Sequence, residues 1–243
     1  MHAELIFYWL LFFVAMLYAS VGHGGASGYL ALMALFSFSP DSMRSTALIL
    51  NIFVSLIAFV QYYRGGHFRW SLFWPFAIAS IPAAFIGGLI TINPSVYKVM
   101  LGALLIFPII KLAGLKFDEE KQTQKQGLAG SIAIGFVIGL FSGMIGIGGG
   151  IILSPVILLL HWANMKQTAA VSALFILVNS VSGLAGIFTQ GLHFNPAMAW
   201  MVIVALMGGL TGSYIGAMKV KGVLLRRVLA FVLLIASFKL LFT

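Results

Sequence analysis

Two clusters of glycine interrupt apolar runs of this chain. The first reads Val21-Gly22-His23-Gly24-Gly25-Ala26-Ser27-Gly28 and the second Ile145-Gly146-Ile147-Gly148-Gly149-Gly150-Ile151-Ile152. Gly22, Gly24 and Gly25 match Gly146, Gly148 and Gly149 at a constant offset of 124 residues. Stretches without Cβ atoms let a ligand approach bare backbone N–H groups. Each cluster leads at once into a short apolar stretch that reads as a helix. A helix N-terminus carries unpaired N–H groups and about half a positive charge, so it attracts anions. The chemistry offered by Gly22, Gly24, Gly25, Gly146, Gly148, Gly149 and Gly150 is therefore anion binding by backbone. The plainer alternative is close helix packing, as small residues provide in membrane proteins. That alternative fits Gly87, Gly88, Gly208, Gly209 and Gly212. It fits the clusters less well, because each glycine weakens a continuous helix by about 1 kcal/mol.

Few side chains can add to this chemistry. His23 sits inside the first cluster, where the second has Ile147. A histidine deep in a membrane is functional by default, as a hydrogen-bond donor or proton carrier. The alternative is a neutral ring bonded to a backbone carbonyl. Asn51 and Asn179 fall near the middles of long apolar runs, where their amides line a substrate path or glue helices together. Ser27 and Ser55 are weaker candidates of the same kind. The acids Glu4, Asp41, Asp118, Glu119 and Glu120 lie at segment ends or in a linker. A carboxylate proton relay is not expected, and no metal site or cofactor is. With no cysteine, thiol chemistry and a disulfide framework are excluded.

These groups need a scaffold, and composition defines it. The 243 residues are 61% hydrophobic and 8% charged. Several runs exceed the ~18 apolar residues of a spanning helix. The fold class is an all-α polytopic membrane protein, since bilayer physics leaves only helices or closed barrels, and the period-2 alternation of a barrel is missing. The net charge of +9 is not read as nucleic-acid binding, because the basic residues sit at helix ends, where they orient a membrane chain. Trp70, Trp74, Trp162 and Trp200 fall near such ends, as an interfacial belt does. Leu5–Tyr18 has no basic segment before it and reads as a mature helix rather than a cleaved signal.

Periodicity and breakers place helices at about 4–20, 28–38, 43–62, 71–91 and 95–114, then at about 128–144, 150–160, 166–189, 196–217 and 221–242. The charge-dense stretch 115–127 separates the two sets, giving a first transmembrane repeat at 1–114, a cytoplasmic linker at 115–127 and a second repeat at 128–243. Further matched blocks support duplication. Met43, Thr46 and Ala47 match Met165, Thr168 and Ala169, and Gly65, His67 and Phe68 match Gly191, His193 and Phe194.

Charge decides the relative orientation of the halves. If each glycine-broken stretch crosses once, the halves are parallel and the 14 basic residues divide seven against seven. If each is a hairpin, the halves are inverted and the division is eleven against three, with only Arg44, Lys98 and Lys239 on the poorer side. The second division is the positive-inside bias. The expected architecture is two inverted repeats, each a glycine-broken, re-entrant-type helical hairpin plus three transmembrane helices, with both termini periplasmic. The arms at 28–38 and 150–160 span roughly 16 Å of helix, too short for a normal crossing.

At these residues the chain resembles the TauE/SafE family of membrane transporters, also called the sulfite exporter or TSUP family. The resemblance covers essentially the whole length. It rests on the doubled loop, above all Gly146-Ile147-Gly148-Gly149-Gly150 followed by Pro155, and on Gly65 and Gly191 ending the next long helix. The first copy departs at His23 and Ala26, and its Ser27-Gly28-Tyr29-Leu30 continuation points to a subgroup. The resemblance implies a bacterial inner-membrane carrier of sulfite, thiosulfate, sulfonates or related small anions, working as an exporter. It implies no enzyme. The expected partners are a small sulfur anion, protons, the lipid bilayer and a second copy in a homodimer, with no nucleic acid. A Gly-x-x-x-x-Gly-Lys-Ser/Thr nucleotide loop is absent, so transport is secondary. Two alternatives stay open. Gly25-Ala26-Ser27-Gly28 matches the short Gly-x-Ser-Gly pattern of rhomboid intramembrane serine proteases, and an anion channel would use the same loops.

Overall fold

The computed structural model describes residues 2–20, 23–114, 124, 126–189, 191 and 197–217, with 234, 237, 238 and 241 as isolated positions. The expected helix over 221–242 and most of the linker lie outside the described residues, as do Gly22, His193 and Phe194. Nine helices are described in chain order: α1 His2–Ala19, α2 Ala26–Leu35, α3 Pro40–Arg64, α4 Trp70–Leu89, α5 Pro94–Gly114, α6 Leu128–Ile145, α7 Gly150–Leu159, α8 Met165–Phe188 and α9 Ala197–Ala217. The described regular structure is all helical. α3, α4, α6 and α8 are long and apolar enough to cross a membrane, and large apolar side chains such as Trp9, Ile78, Phe136, Phe188 and Tyr214 face outward. Such a surface is stable against lipid rather than water.

α3 begins three residues before its expected start. Pro40 occupies the first turn behind Ser39, a position where the missing N–H costs nothing. α2 and α7 have 10 residues each, and most of their side chains are buried in protein. Broken backbone at membrane depth is tolerated only under such cover. α1 and α2 fold back on each other. Phe7 near the start of α1 packs on Phe36 and Phe38 just past the end of α2, while Tyr18 near the end of α1 meets Ser27 at the start of α2.

Glycine stripes set the main helix contacts. On α6, Gly135, Gly139 and Gly143 lie against the backbone of Phe76, Ser80 and Ala84 on α4. The two helices therefore run parallel, with a small residue every fourth position opening the seam. On the far side, Gly208 and Gly212 of α9 lie against Phe12 and Met16 of α1. Gly88 of α4 meets Gly183 and Gly186 of α8. At Gly87, Gly88, Gly208 and Gly212 the packing reading is the one the contacts support. The packed pairs exchange when the halves are exchanged. α4 with α6 corresponds to α9 with α1, α4 with α8 to α9 with α3, and α2 with α3 to α7 with α8.

At the centre, α3 lies against α8. Leu48 faces Gly183, while Asn51, one turn on, shares its surroundings with Ile176. The residue number rises on one helix as it falls on the other, so α3 and α8 run antiparallel.

Candidate functional site

Both glycine loops make a left-handed turn at the residue that precedes the short helix, although Gly148 is itself left-handed at φ 71° and its match Gly24 is not. Gly25 caps α2 at φ 97° and Gly149 caps α7 at φ 77°. These left-handed angles favour glycine. Neither N-terminus has a side-chain cap. The first-turn N–H groups, which no helix can satisfy internally, are left to the loop and to whatever enters it.

Between the loops lies Asn51. A Cβ built on Gly24 would stand 2.6 Å from Asn51 Oδ1, and one built on Gly148 would stand 2.6 Å from Asn51 Nδ2. One carboxamide therefore touches both loops. It is fully buried, at 0% exposure, and neither its oxygen nor its nitrogen has a hydrogen-bond partner. Burying an amide unpaired costs about 1–3 kcal/mol, so this group marks a place built for a partner. Ile176 Cγ2 forms the other wall, 2.9 and 2.8 Å from the same two built positions. Ser180 Oγ, 3.1 Å from the position on Gly148, is buried without a partner, and so is Ser55 Oγ one turn beyond Asn51.

The other expected residues divide by what they touch. Gly24 and Gly148 face Asn51. Gly146, at φ 88°, lies against the Arg44 backbone, Gly149 faces Ile138 and Phe175, Gly150 faces Ile176, and Gly25 faces the Tyr29 ring. These four shape the loops rather than line the amide. Asn179 is fully buried, but its Nδ2 donates to Phe175 O at 2.8 Å on its own helix. Its neighbour Ser180 is the α8 group that reaches the loop. Ser27 Oγ is 2.6 Å from Tyr18 OH, so the contact recorded for the protease motif's serine is a tyrosine, not a base.

His23 reaches across to the second half. Its Nε2 lies 2.9 Å from Ser154 Oγ on α7. That hydroxyl also lies 2.9 Å from Gly150 O and 2.8 Å from Ser172 Oγ on α8. His23, Ser154 and Ser172 thus form a buried polar strut behind the loops. Ser154, Ser172 and Ser180 were not anticipated. The signal for two of them was present, because Ser172, Ile176 and Ser180 recur every four residues along one face of α8.

His23 is not the only buried ionisable side chain. The charge pattern treats Arg44 as an end-of-helix cation, yet it is buried. It sits in the second turn of α3, and its guanidinium is enclosed by backbone. Nε donates to Gly143 O at 2.9 Å, Nη1 to Ile90 O at 3.0 Å, and Nη2 to Gly87 O at 2.6 Å and Gly88 O at 2.8 Å. These carbonyls end α4 and lie in the last turn of α6, where helix dipoles are negative. Arg44 is a C-terminal cap shared by two helices.

A bundle of apolar helices enclosing two short, backbone-capped half-helices defines a multi-pass membrane transporter. More narrowly, the chain belongs to the sulfite exporter TauE/SafE family, whose model matches residues 7–240. It is 36% identical over 234 residues to the probable membrane transporter protein y4hK of Sinorhizobium fredii, covering 95% of each chain. It is 25% identical over 210 residues to a probable membrane transporter protein of Methanocaldococcus jannaschii, covering 81% of this chain and 78% of that one. With the probable membrane transporter protein YunE of Bacillus subtilis it shares 28% identity over 202 residues, 74% of this chain and 71% of the relative. No solved structure matches the chain.

Proposed function

We propose that the protein is a secondary transporter that exports a small sulfur-containing anion, such as sulfite, thiosulfate or an organosulfonate, across the bacterial cytoplasmic membrane. The anion binds where the N-termini of α2 and α7 converge on Asn51. Gly24 and Gly148 admit it, first-turn N–H groups hold its charge, and the Asn51 amide, Ser55 and Ser180 fix its position. The observation that carries this reading is the buried, unpartnered Asn51 amide in contact with both loops.

Inverted repeats give the site its working geometry, with both termini periplasmic. Two features support inversion. α3 and α8 are equivalent helices of the two halves and run antiparallel, as an axis in the membrane plane requires. An axis along the membrane normal would leave them parallel. The eleven-to-three division of basic residues points the same way. Rocking of one half against the other then exposes the shared site to each side in turn.

Efflux of labelled sulfite, thiosulfate and small sulfonates from proteoliposomes tests the function. Saturable, competable flux of at least one anion is expected. Absence of flux with all of them overturns the substrate assignment, and non-saturable conduction favours a channel. For topology, the natural chain has no cysteine, so single cysteines introduced at 66 and 220 report cleanly. Inverted halves place both on the cytoplasmic side, and labelling from opposite sides overturns the arrangement.

A further inference from the structure

The unpartnered groups around Asn51 carry more than a general affinity for anions. We infer that the transported molecule bears a hydrogen-bond donor, a hydroxyl or N–H, beside its anionic group. The inference rests on the anion-carrier reading above and narrows the substrate class of the same site.

The argument is an inventory of donors and acceptors. The N-termini of α2 and α7 supply only N–H donors, which suit an oxyanion. Asn51 supplies two donors on Nδ2 and an acceptor on Oδ1. Both ends are buried and unpartnered, the oxygen turned to the Gly24 loop and the nitrogen to the Gly148 loop. Exchanging the two ends of the amide leaves the conclusion intact, since each end faces a loop. An oxyanion can take the Nδ2 protons. It cannot satisfy Oδ1, because two acceptors repel. A bare anion would leave that oxygen buried and unpaired, whereas one carrying a hydroxyl or N–H a few bonds away satisfies both ends. The Ser55 and Ser180 hydroxyls, also unpartnered, can each donate to the anion or accept from the donor. Ile176 Cγ2 on the opposite wall offers no polar partner and suits the carbon skeleton joining the two groups. A site built to bond a substrate hydroxyl rejects the analogue that lacks it, because its own polar atom is left unsatisfied.

Matched pairs test this in proteoliposomes. One pair is 2-hydroxyethanesulfonate against ethanesulfonate, the other 3-hydroxypropanoate against propanoate. The hydroxylated member of each transported pair is expected to be taken up with about tenfold or greater preference. N51L, which keeps the shape and removes both polar ends, is expected to lower flux of the hydroxylated member and bring the pair close to equality. Equal transport of the two sulfonates by the natural protein overturns the inference while leaving the anion-carrier reading intact. Transport of the carboxylate pair alone, with the hydroxylated member preferred, sustains the inference and overturns the sulfonate assignment. No flux of any of the four anions while sulfite or thiosulfate is transported overturns the inference alone, and no flux of any of the six overturns both. If N51L does not reach the membrane, the preference measured in the natural protein decides the matter alone.

Discussion

The two glycine loops share the left-handed turn that starts each short helix and differ in nearly every side chain. Gly25 and Gly149 take the same left-handed turn into uncapped half-helices of equal length. Behind the first loop, His23 joins Ser154 and Ser172 in a polar strut. The positions matching these three by the repeat offsets are Ile147, Leu30 and Leu50, all buried in one apolar cluster. Arg44 is buried against four carbonyls, while its match Lys166 is exposed. Duplicated backbone thus carries the function common to the halves, and side chains have diverged wherever symmetry is unnecessary. The proposed anion capture belongs to the first set. Holding the halves together belongs to the second.

The sharpest break in this comparison is at the matched glycines that face Asn51. Gly148 has φ 71°, and its Cβ would meet Asn51 Nδ2 at 2.6 Å. Gly148→Ala combines that collision with left-handed strain of roughly 1–2 kcal/mol. Flux is expected to vanish while the protein still reaches the membrane. Gly24→Ala meets Asn51 Oδ1 at the same 2.6 Å without the left-handed angle, so its loss of flux should be smaller. Equal losses would show that only space matters at these two positions.

Next is the Arg44 cap. Arg44→Met strips three buried carbonyls and one part-buried one of their donor, and each buried acceptor left unpaired costs about 1–3 kcal/mol. Thermal unfolding in detergent should fall sharply. Lys166→Met, at the matched but exposed position, should stay within about 0.5 kcal/mol of the natural protein. Similar shifts for both would remove the asymmetry assigned here.

Much of this was legible before any coordinates. Gly-rich breaks and apolar run lengths are local signals, and they place the half-helices to within a few residues. Asn51 was legible too, because an amide mid-run in an apolar helix has few explanations. Arg44 was not. Its place near a helix start fits an interfacial cation equally well, and only the approach of the α4 and α6 carbonyls reveals the cap. Asn179 differs from Asn51 in a way sequence does not reveal, since its Nδ2 is bonded while its Oδ1 stays buried and unpartnered. Its amide bonds its own helix, an option open to any polar side chain in a helix, while the less conspicuous Ser180 faces the loop. Sequence records which groups are polar, and tertiary approach decides which of them are already satisfied.

The smallest effects separate the polar strut from its apolar counterpart, and they should not be reciprocal. His23→Ile removes the buried hydrogen bond to Ser154, worth about 1 kcal/mol net. Ser154 keeps Gly150 O and Ser172 as partners, so no hydroxyl is orphaned. Ile147→His places an imidazole in the cluster holding Leu30 and Leu50, where it lacks the serines that serve His23. Burying that polar ring without a partner costs about 1–3 kcal/mol by mutational measure. Unfolding measurements should therefore rank Ile147→His as the more damaging change. Adding Leu30→Ser to Ile147→His should recover part of the loss by rebuilding the His23–Ser154 contact in the opposite half. Recovery would show that both halves have the backbone for a strut and that one half has lost, or never gained, its side chains. No recovery would mean the two hairpins differ in backbone spacing as well, and the symmetry argued from the glycine loops would end at the loops themselves.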